Sequence, residues 1–289
     1  MVKVGENTYA AGYDNGSHSI CVWKGNNKTS LTLPTIDGKT VKNGNVTGIC
    51  SGGTNIYISG YALVYGSEET NPSYGIGCLW TSNDSGATWT TTIIANTNNT
   101  SGIYPTVTDI AATSSSVKLV GHTYSMTEKT TTAMMWDQNG NQTVLHENRS
   151  NAKAIVISSG GNAFVAGNCN GRAVLWKDSA TSISMTELSS ELSSTTCIAI
   201  KGDNIYVGGE LYDKTEPLYW KTTTSLATPE KHKLYTNSNG HFYVDAIAAN
   251  DSHVVTAGHG GYTLSCYWID NSLTIMPYKS DAEFSYVSF

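Results

Sequence analysis

The sequence has 289 residues, of which 39% are apolar and only 14% are charged, with a formal net charge of −6. Soluble domains typically contain roughly 25% charged residues, so uncharged polar residues and glycine fill the difference. The acidic balance and the presence of only two arginines, Arg149 and Arg172, argue against a nucleic-acid partner, which requires clustered lysine and arginine. No apolar run approaches the roughly 18 residues of a membrane-spanning helix.

The chain opens with a strand pattern at Asn7–Gly12, followed by an apolar stretch that ends in Trp23 and by a further strand at 29–33. A glycine that ends one strand and a tryptophan that ends the next recur six times. The glycines are Gly12, Gly60, Gly121, Gly167, Gly209 and Gly258, and the tryptophans are Trp23, Trp80, Trp136, Trp176, Trp220 and Trp268. Four short strands in repeats of about 40–50 residues are typical of propeller blades. The sequence therefore predicts an all-β, six-bladed β-propeller of four-stranded antiparallel blades.

From the second repeat onward, an isoleucine precedes each glycine by 11 or 12 residues; these are Ile49, Ile110, Ile155, Ile198 and Ile247. This nearly constant spacing predicts a tight hairpin between the first and second strands of each blade. The interval from glycine to tryptophan varies from 9 to 20 residues, which indicates a loop of variable length. No segment has sustained apolar residues at helical spacing, so we expect essentially no long helix.

The hairpin Ser82-Asn83-Asp84-Ser85-Gly86-Ala87-Thr88-Trp89 resembles the Asp box, Ser-x-Asp-x-Gly-x-x-Trp, of the sialidases and other repeat propellers. The resemblance covers eight residues and matches no specific functional family beyond this BNR-like hairpin. In those families the box is a folding device between the third and fourth strands, away from the active site. The resemblance therefore implies a structural role. The nearest second copy is Asp137-Gln138-Asn139-Gly140.

The two ends of the chain are predicted to complete one blade. The first repeat begins with its second strand, and residues 283–289, with Val287 at the aliphatic position, match a first strand. We expect residues 284–289 to pair beside the strand that ends at Gly12, because this leaves no open sheet edge between the termini. Residues 1–289 would then be a single closed domain.

The six cysteines are predicted to be reduced thiols. Cys21, Cys78 and Cys266 each stand two residues before a tryptophan, Cys50 and Cys197 lie in apolar runs, and Cys169 is expected in a loop. Buried cysteine often behaves as a small hydrophobic residue. No CxxC pair exists, which argues against a structural zinc site, and no cofactor is predicted.

The sequence contains few features that are typical of an enzyme. The sequence has no HExxH, GxSxG, P-loop or GxGxxG motif, and sialidases clamp their substrate with three arginines where this chain has two. Asp109 and Asp245 are expected to open first strands at the mouth of the central channel. They could form an acid–base pair or bind a metal, but such residues more often bond to the backbone of the neighbouring blade. No catalytic or metal-binding residue is predicted.

A ligand site is predicted from the residues that directly follow the six glycines. They are Tyr13, Tyr61, His122, Asn168, Glu210 and His259. By symmetry they should ring the channel on one face, joined by residues of the other loop set such as His241 and Tyr243. Aromatic planes beside amides and carboxylates suit an uncharged polar ligand such as a glycan.

The alternatives are a protein-interaction scaffold, a polysaccharide-acting hydrolase or lyase, and residues that only fill the funnel mouth. The favoured interpretation is a non-enzymatic, carbohydrate-binding monomer with a glycan or protein partner. The composition favours an extracellular or cell-surface location in a bacterium, whereas six thiols favour a reducing one. The N-terminal residues do not form a signal peptide, so export would require a leader outside this sequence.

Overall fold

The computed structural model describes residues 1–17, 19–36, 39–65, 72–95, 103–213, 216–236, 241–261 and 264–276. Within these ranges the chain forms 24 strands and no helix. The strands make six four-stranded antiparallel sheets, each composed of four consecutive strands. The prediction of an all-β, six-bladed β-propeller is confirmed, and the blades are numbered 1 to 6 along the chain.

The strands of blades 1 to 3 are β1 Val2–Val4, β2 Asn7–Asp14, β3 Ser19–Lys24, β4 Asn27–Ser30, β5 Thr40–Gly52, β6 Asn55–Tyr65, β7 Pro72–Ser82, β8 Thr90–Ala95, β9 Ile103–Ala112, β10 Val117–Ser125, β11 Thr130–Asp137 and β12 Gln142–His146. Those of blades 4 to 6 are β13 Ser150–Ile157, β14 Ala163–Cys169, β15 Arg172–Asp178, β16 Ile183–Glu187, β17 Ser193–Lys201, β18 Asn204–Leu211, β19 Glu216–Thr223, β20 Glu230–Lys233, β21 Phe242–Ala249, β22 Val254–Gly260, β23 Leu264–Ile269 and β24 Ser272–Ile275. The chain divides into two compact units, Met1–Ala152 and Lys153–Phe289.

In blades 2, 3, 5 and 6 the recurring glycine stands where the first strand bulges against the second. In blade 5 the register shifts between Thr195 and Cys197, opposite Gly209. A β-carbon on Gly209 would lie 2.0 Å from the carbonyl oxygen of Ser194 and 2.9 Å from the Trp220 ring. Corresponding β-carbons on Gly121 and Gly258 would come within 1.9 and 1.8 Å of a carbonyl oxygen. Only glycine fits such a close approach, which explains the glycine in these blades.

The repeat tryptophans pack in the blade cores rather than on a ligand surface. Trp80, Trp176, Trp220 and Trp268 are fully buried, Trp136 is 2% exposed, and only Trp23 is partly exposed. Two of them also bond to the preceding blade. The Trp80 indole donates to the Thr32 carbonyl at 2.8 Å, and the Trp268 indole donates to the Tyr235 carbonyl at 2.7 Å.

The prediction that the first repeat lacks a first strand is wrong. Strand β1 pairs with β2 through Val2 with Tyr9, Lys3 with Thr8 and Val4 with Asn7. Gly5, at φ +59°, makes the tight turn between them, a conformation that glycine adopts at little cost. Three residues are too few to show an alternating pattern, so the sequence alone did not reveal this strand.

Strand β1 covers only the first part of β2. Among the residues that the structure describes, no strand pairs with 10–14 on the β1 side of the sheet. Residues 284–289, predicted to lie there, are outside the described residues. The closure of the ring through them therefore stays a prediction.

The Asp box forms the expected hairpin between β7 and β8. The hydroxyl of Ser82 donates to Asp84 at 2.7 Å and accepts the amide hydrogen of Gly86 at 2.8 Å. Asp84 also accepts from the amide and hydroxyl of Thr88, at 2.9 and 2.6 Å. The turn contacts blade 1, because the hydroxyl of Tyr9 donates to the Ser85 carbonyl at 2.6 Å.

These hydrogen bonds make the turn sensitive to acid. The hydrogen bonds from Thr88 and Ser82 lower the pKa of Asp84 well below the usual value of an aspartate. A carboxyl with a lowered pKa contributes stability above its unfolded pKa and loses it as the pH falls through the folded value. We expect Asp84→Asn to lower the Tm at pH 7, and the difference from the unmodified protein to shrink progressively below about pH 4. Thermal melts across this range test it, with exposed Asp251→Asn as the control. A difference that is constant down to pH 2 would contradict the prediction.

Each of the six cysteines is a thiol, with no disulfide among them. Cys21, Cys78, Cys169 and Cys266 are buried, and Cys50 and Cys197 are intermediate. Cys169 was expected in a loop but ends β14. Burial raises the pKa of Cys78 and of Cys266, each to about 12, so these thiols remain protonated and unreactive at neutral pH.

Within the described residues, no helix is long and apolar enough to cross a membrane.

Candidate functional site

The six predicted ligand residues all lie on the second strands of their blades, directly after the recurring glycine. Tyr13, Tyr61 and His122 belong to the first compact unit, and Asn168, Glu210 and His259 belong to the second. Tyr13 is 41% exposed, and the other five are half-buried. That the six residues form a single ring stays a prediction. The contacts within the second unit are as follows.

His259 is held by an aspartate and an aromatic ring. Its Nδ1 lies 2.7 Å from Oδ2 of Asp245. Its ring stacks on Tyr243 with centroids 4.8 Å apart and planes tilted by 21°. A carboxylate can only accept a hydrogen bond, so Nδ1 carries the hydrogen. Nε2 of the neutral ring is then an acceptor, and it bonds no other described residue.

Asp245 occupies a position that three other blades fill with threonine. It is the bulged residue of β21, between the pairs of Val244 with Gly258 and Ala246 with Ala257. The bulged residues of β5, β9 and β17 are Thr47, Thr108 and Thr196.

Two of these threonines join neighbouring blades. The hydroxyl of Thr108 donates to the Ala152 carbonyl at 3.0 Å, and that of Thr196 donates to the Val244 carbonyl at 2.5 Å. Asp245 instead binds the His259 side chain. The propeller backbone accepts a threonine here, so the aspartate is a departure that the fold itself does not require.

Glu210 is the second carboxyl of this region. Its Oε1 accepts from the hydroxyl of Ser194 at 3.2 Å. Burial raises the pKa of Glu210, against the lowering effects of the Ser194 hydrogen bond and of the nearby His241 and His259. The region therefore combines two carboxyl groups, two histidines and an aromatic plane.

Asn168 has a bracing role. Its Oδ1 accepts the backbone amide hydrogen of Thr195 at 3.0 Å, which joins blade 4 to blade 5. The Nδ2 group of Asn168 makes no hydrogen bond to another described residue. Asn168 thus combines a structural bond with a half-exposed donor, and its assignment to the ligand site stays a prediction.

Sequence reasoning placed Asp109 and Asp245 at the start of their strands, which is wrong. Both lie inside first strands, Asp109 in β9 and Asp245 at the bulge of β21. The pairing of Asp245 with His259 was missed. A signal for it exists in the sequence, because Thr47, Thr108 and Thr196 stand 13 residues before their glycines and Asp245 stands 13 before Gly258. No three His, Cys, Asp or Glu residues within the described part of the chain are grouped to hold a metal ion.

No protein-family model and no curated protein matches the sequence. Solved structures do match it. A mutant of Trypanosoma rangeli sialidase that displays trans-sialidase activity aligns with a TM-score of 0.59 and 13% identity, over 96% of this chain and 53% of that one. YCF48 from Cyanidioschyzon merolae aligns with a TM-score of 0.52 and 14% identity, over 96% and 84%. The Dos1 propeller aligns with a TM-score of 0.52 and 8% identity, over 99% and 85%.

The likeness is one of fold. At these identities it confirms the propeller with sialidase-like neighbours and carries no activity, ligand or partner to this chain. The chain spans about half the length of the sialidase that it matches. Of its two arginines, Arg172 is paired with Glu187 at 3.2 Å and Arg149 lies in the turn between β12 and β13.

Proposed function

We propose that this protein is a non-enzymatic binding module that recognises a glycan or another uncharged polar ligand beside Glu210 and His259. The observation that carries the proposal is the Asp245–His259–Tyr243 arrangement, since it replaces a threonine that serves blade-to-blade bonding elsewhere. Half-buried charged groups cost free energy unless they are paired. Asp245 and His259 pair with each other, and the presence of this pair at a position where threonine suffices for the fold supports a binding role.

The chemistry of these side chains favours a neutral, hydroxyl-rich ligand. Nε2 of His259 can accept from a hydroxyl, the carboxyl of Glu210 can accept or donate, and the rings of Tyr243 and Tyr212 offer apolar faces to C–H groups. Tyr212 is 49% exposed. The two carboxyl groups, Glu210 and Asp245, disfavour an acidic sugar by like-charge repulsion.

Replacing His259 by alanine is expected to weaken binding of a neutral glycan by at least about tenfold, or about 1.4 kcal/mol. The unmodified protein should bind with a Kd of about 0.1–1 mM, or about −4 to −5.5 kcal/mol, and with little salt dependence. A neutral-glycan array followed by titration calorimetry of the best probe measures both. Tyr61→Ala is expected to weaken binding too if the predicted ring of six forms one site.

His253→Ala is the matched control, because His253 also pairs with an aspartate of blade 6, Asp270, at 3.0 Å, but at the hairpin end of the strands. It should leave affinity unchanged. The Tm of His259→Ala should lie within about 2 °C of the unmodified value. A variant that unfolds shows that His259 is structural, and an array on which no neutral glycan binds contradicts the proposal.

A second candidate is a polysaccharide-acting hydrolase, favoured by one observation. Burial raises the pKa of Glu210 near His241 and His259, and a carboxyl with a raised pKa can act as a general acid. If a bound glycan is cleaved, Glu210→Gln should lower kcat by at least about 100-fold while binding persists. Cleavage that survives this change, or an absence of any cleaved product, contradicts the hydrolase.

A further inference from the structure

A polar cavity lies in the first compact unit, between blades 2 and 3, with a volume of about 440 Å³. It stands at the hairpin ends of the strands, where β5 turns into β6, β7 into β8, β9 into β10 and β11 into β12. The predicted ligand residues of these blades, Tyr61 and His122, lie further along β6 and β10. The cavity is therefore distinct from the region proposed above. Its volume falls in the range of roughly 300–1,000 Å³ that is common for small-molecule pockets.

The floor of the cavity is apolar. Tyr57, Leu79 and Val117 are 7%, 2% and 3% exposed and belong to one core cluster of blades 2 and 3. Strand pairing sets the polar residues beside them, because Leu79 pairs with Thr92 and Tyr57 pairs with Thr81. The cavity therefore has an apolar floor beneath polar walls, and its lining is more polar than that of most small-molecule pockets.

The walls are polar and uncharged. Besides the floor, the lining residues are Asn55, Thr81, Asn83, Thr90, Thr92, Ser114, Ser115, Ser116, Gln138 and Asn139. None of the lining residues is an acid, a base or a histidine, although the protein carries a net charge of −6. The side chains of Thr92 and Gln138 hydrogen-bond no other described residue, so their hydroxyl and amide groups are available to a ligand.

Two aspartate-stabilised turns hold the rim in place. Asn83 belongs to the turn that Asp84 ties together through Ser82 and Thr88. On the opposite side, Oδ1 of Asp137 accepts the backbone amide hydrogens of Asn139 and Asn141, each at 2.9 Å. A rim that is already ordered costs little conformational entropy when a ligand binds.

We infer that this cavity is a binding site for a neutral saccharide. Hydroxyl and amide side chains exchange hydrogen bonds with sugar hydroxyls, and the apolar floor accepts the C–H face of a pyranose ring. The lack of charge among the lining residues disfavours an acidic or basic ligand, since a desolvated charge would have no partner there. The inference is independent of the function proposed for Glu210 and His259.

The test uses the methyl glycosides of glucose, galactose and N-acetylglucosamine as probes, followed by amide NMR of the full chain. At least one probe should shift the amide signals of Thr92 and Gln138 with a Kd of about 1–10 mM. Thr92→Trp should fill the cavity and weaken binding at least tenfold. Thr29→Trp is the matched control, because Thr29 is exposed on β4 and pairs with Val22 as Thr92 pairs with Leu79. It should leave binding unchanged.

Gln138→Ala, in an exposed turn, provides a variant that leaves the strands intact, and it should weaken binding at least threefold. His259→Ala should not alter these shifts, which separates this site from the one proposed above. The inference is overturned if none of the three probes shifts Thr92 and Gln138, if Gln138→Ala and Thr92→Trp both bind normally, or if glucuronate binds as tightly as the neutral glucoside.

Discussion

Gly209→Ala is expected to destabilise the protein by at least about 3 kcal/mol. The new β-carbon would lie 2.0 Å from the Ser194 carbonyl oxygen and 2.9 Å from the Trp220 ring. Neither group can withdraw easily, since the carbonyl belongs to the strand paired with β18 and the ring is fully buried. With a total stability of roughly 5–15 kcal/mol for a domain, such a loss would be visible as a large drop in the Tm and in the denaturant midpoint.

Gly160→Ala is the control, because its β-carbon would meet nothing closer than the Ser158 hydroxyl at 3.9 Å. Its stability should stay within about 0.5 kcal/mol of the unmodified protein. Equilibrium urea unfolding of both variants makes the comparison. A Gly209→Ala protein as stable as Gly160→Ala would mean that the bulge adjusts freely and that the recurring glycines are not explained by the close approach.

Deleting residues 284–289 is expected to cost several kcal/mol of the roughly 5–15 that stabilise a domain. Strand β1 pairs only with Asn7–Tyr9, whereas the first strand of blade 5 pairs along β18 from Asn204 to Leu211. The backbone groups of 10–14 therefore need a partner, and an open strand edge also invites association with other chains. Thermal melting and light scattering of the truncated protein measure both effects.

Gly12→Ala makes this test specific. Among the described residues, a β-carbon on Gly12 would meet only the Trp23 ring, at 3.6 Å, unlike the crowded glycines of blades 2, 3, 5 and 6. If residues 284–289 cover Gly12, Gly12→Ala should destabilise the full chain strongly and the truncated chain little. The effects of the substitution and of the deletion would then not be additive. A truncated protein that melts like the full one, or additive effects of the two changes, contradicts closure by this segment.

The candidate site could be predicted from the sequence only in part. The position of His259 after its glycine could be predicted from the repeat, and the repeat spacing sets Asp245 apart from three threonines, but the spacing does not show that the two side chains meet. Asp245 reaches His259 because β21 contains an extra residue opposite Gly258, and a register shift of one residue changes the face on which a side chain stands. Cys169 was misplaced for a related reason, since the end of β14 depends on its pairing with Arg172 in β15 and not on local composition.

The sequence by itself determined the number of blades and the four-stranded plan of each, because these features repeat along the chain, and it determined the Asp-box turn, because that turn depends on local backbone demands. The glycines of blades 2, 3, 5 and 6 belong to this class, since each answers the same steric requirement in its own blade. Only the tertiary structure decided the pairing of β1, the Asp245–His259 contact and the cavity between blades 2 and 3. These depend on strand register and on contacts between blades; the repeat spacing marks Asp245 as a departure from threonine, but it does not show which side chain Asp245 contacts.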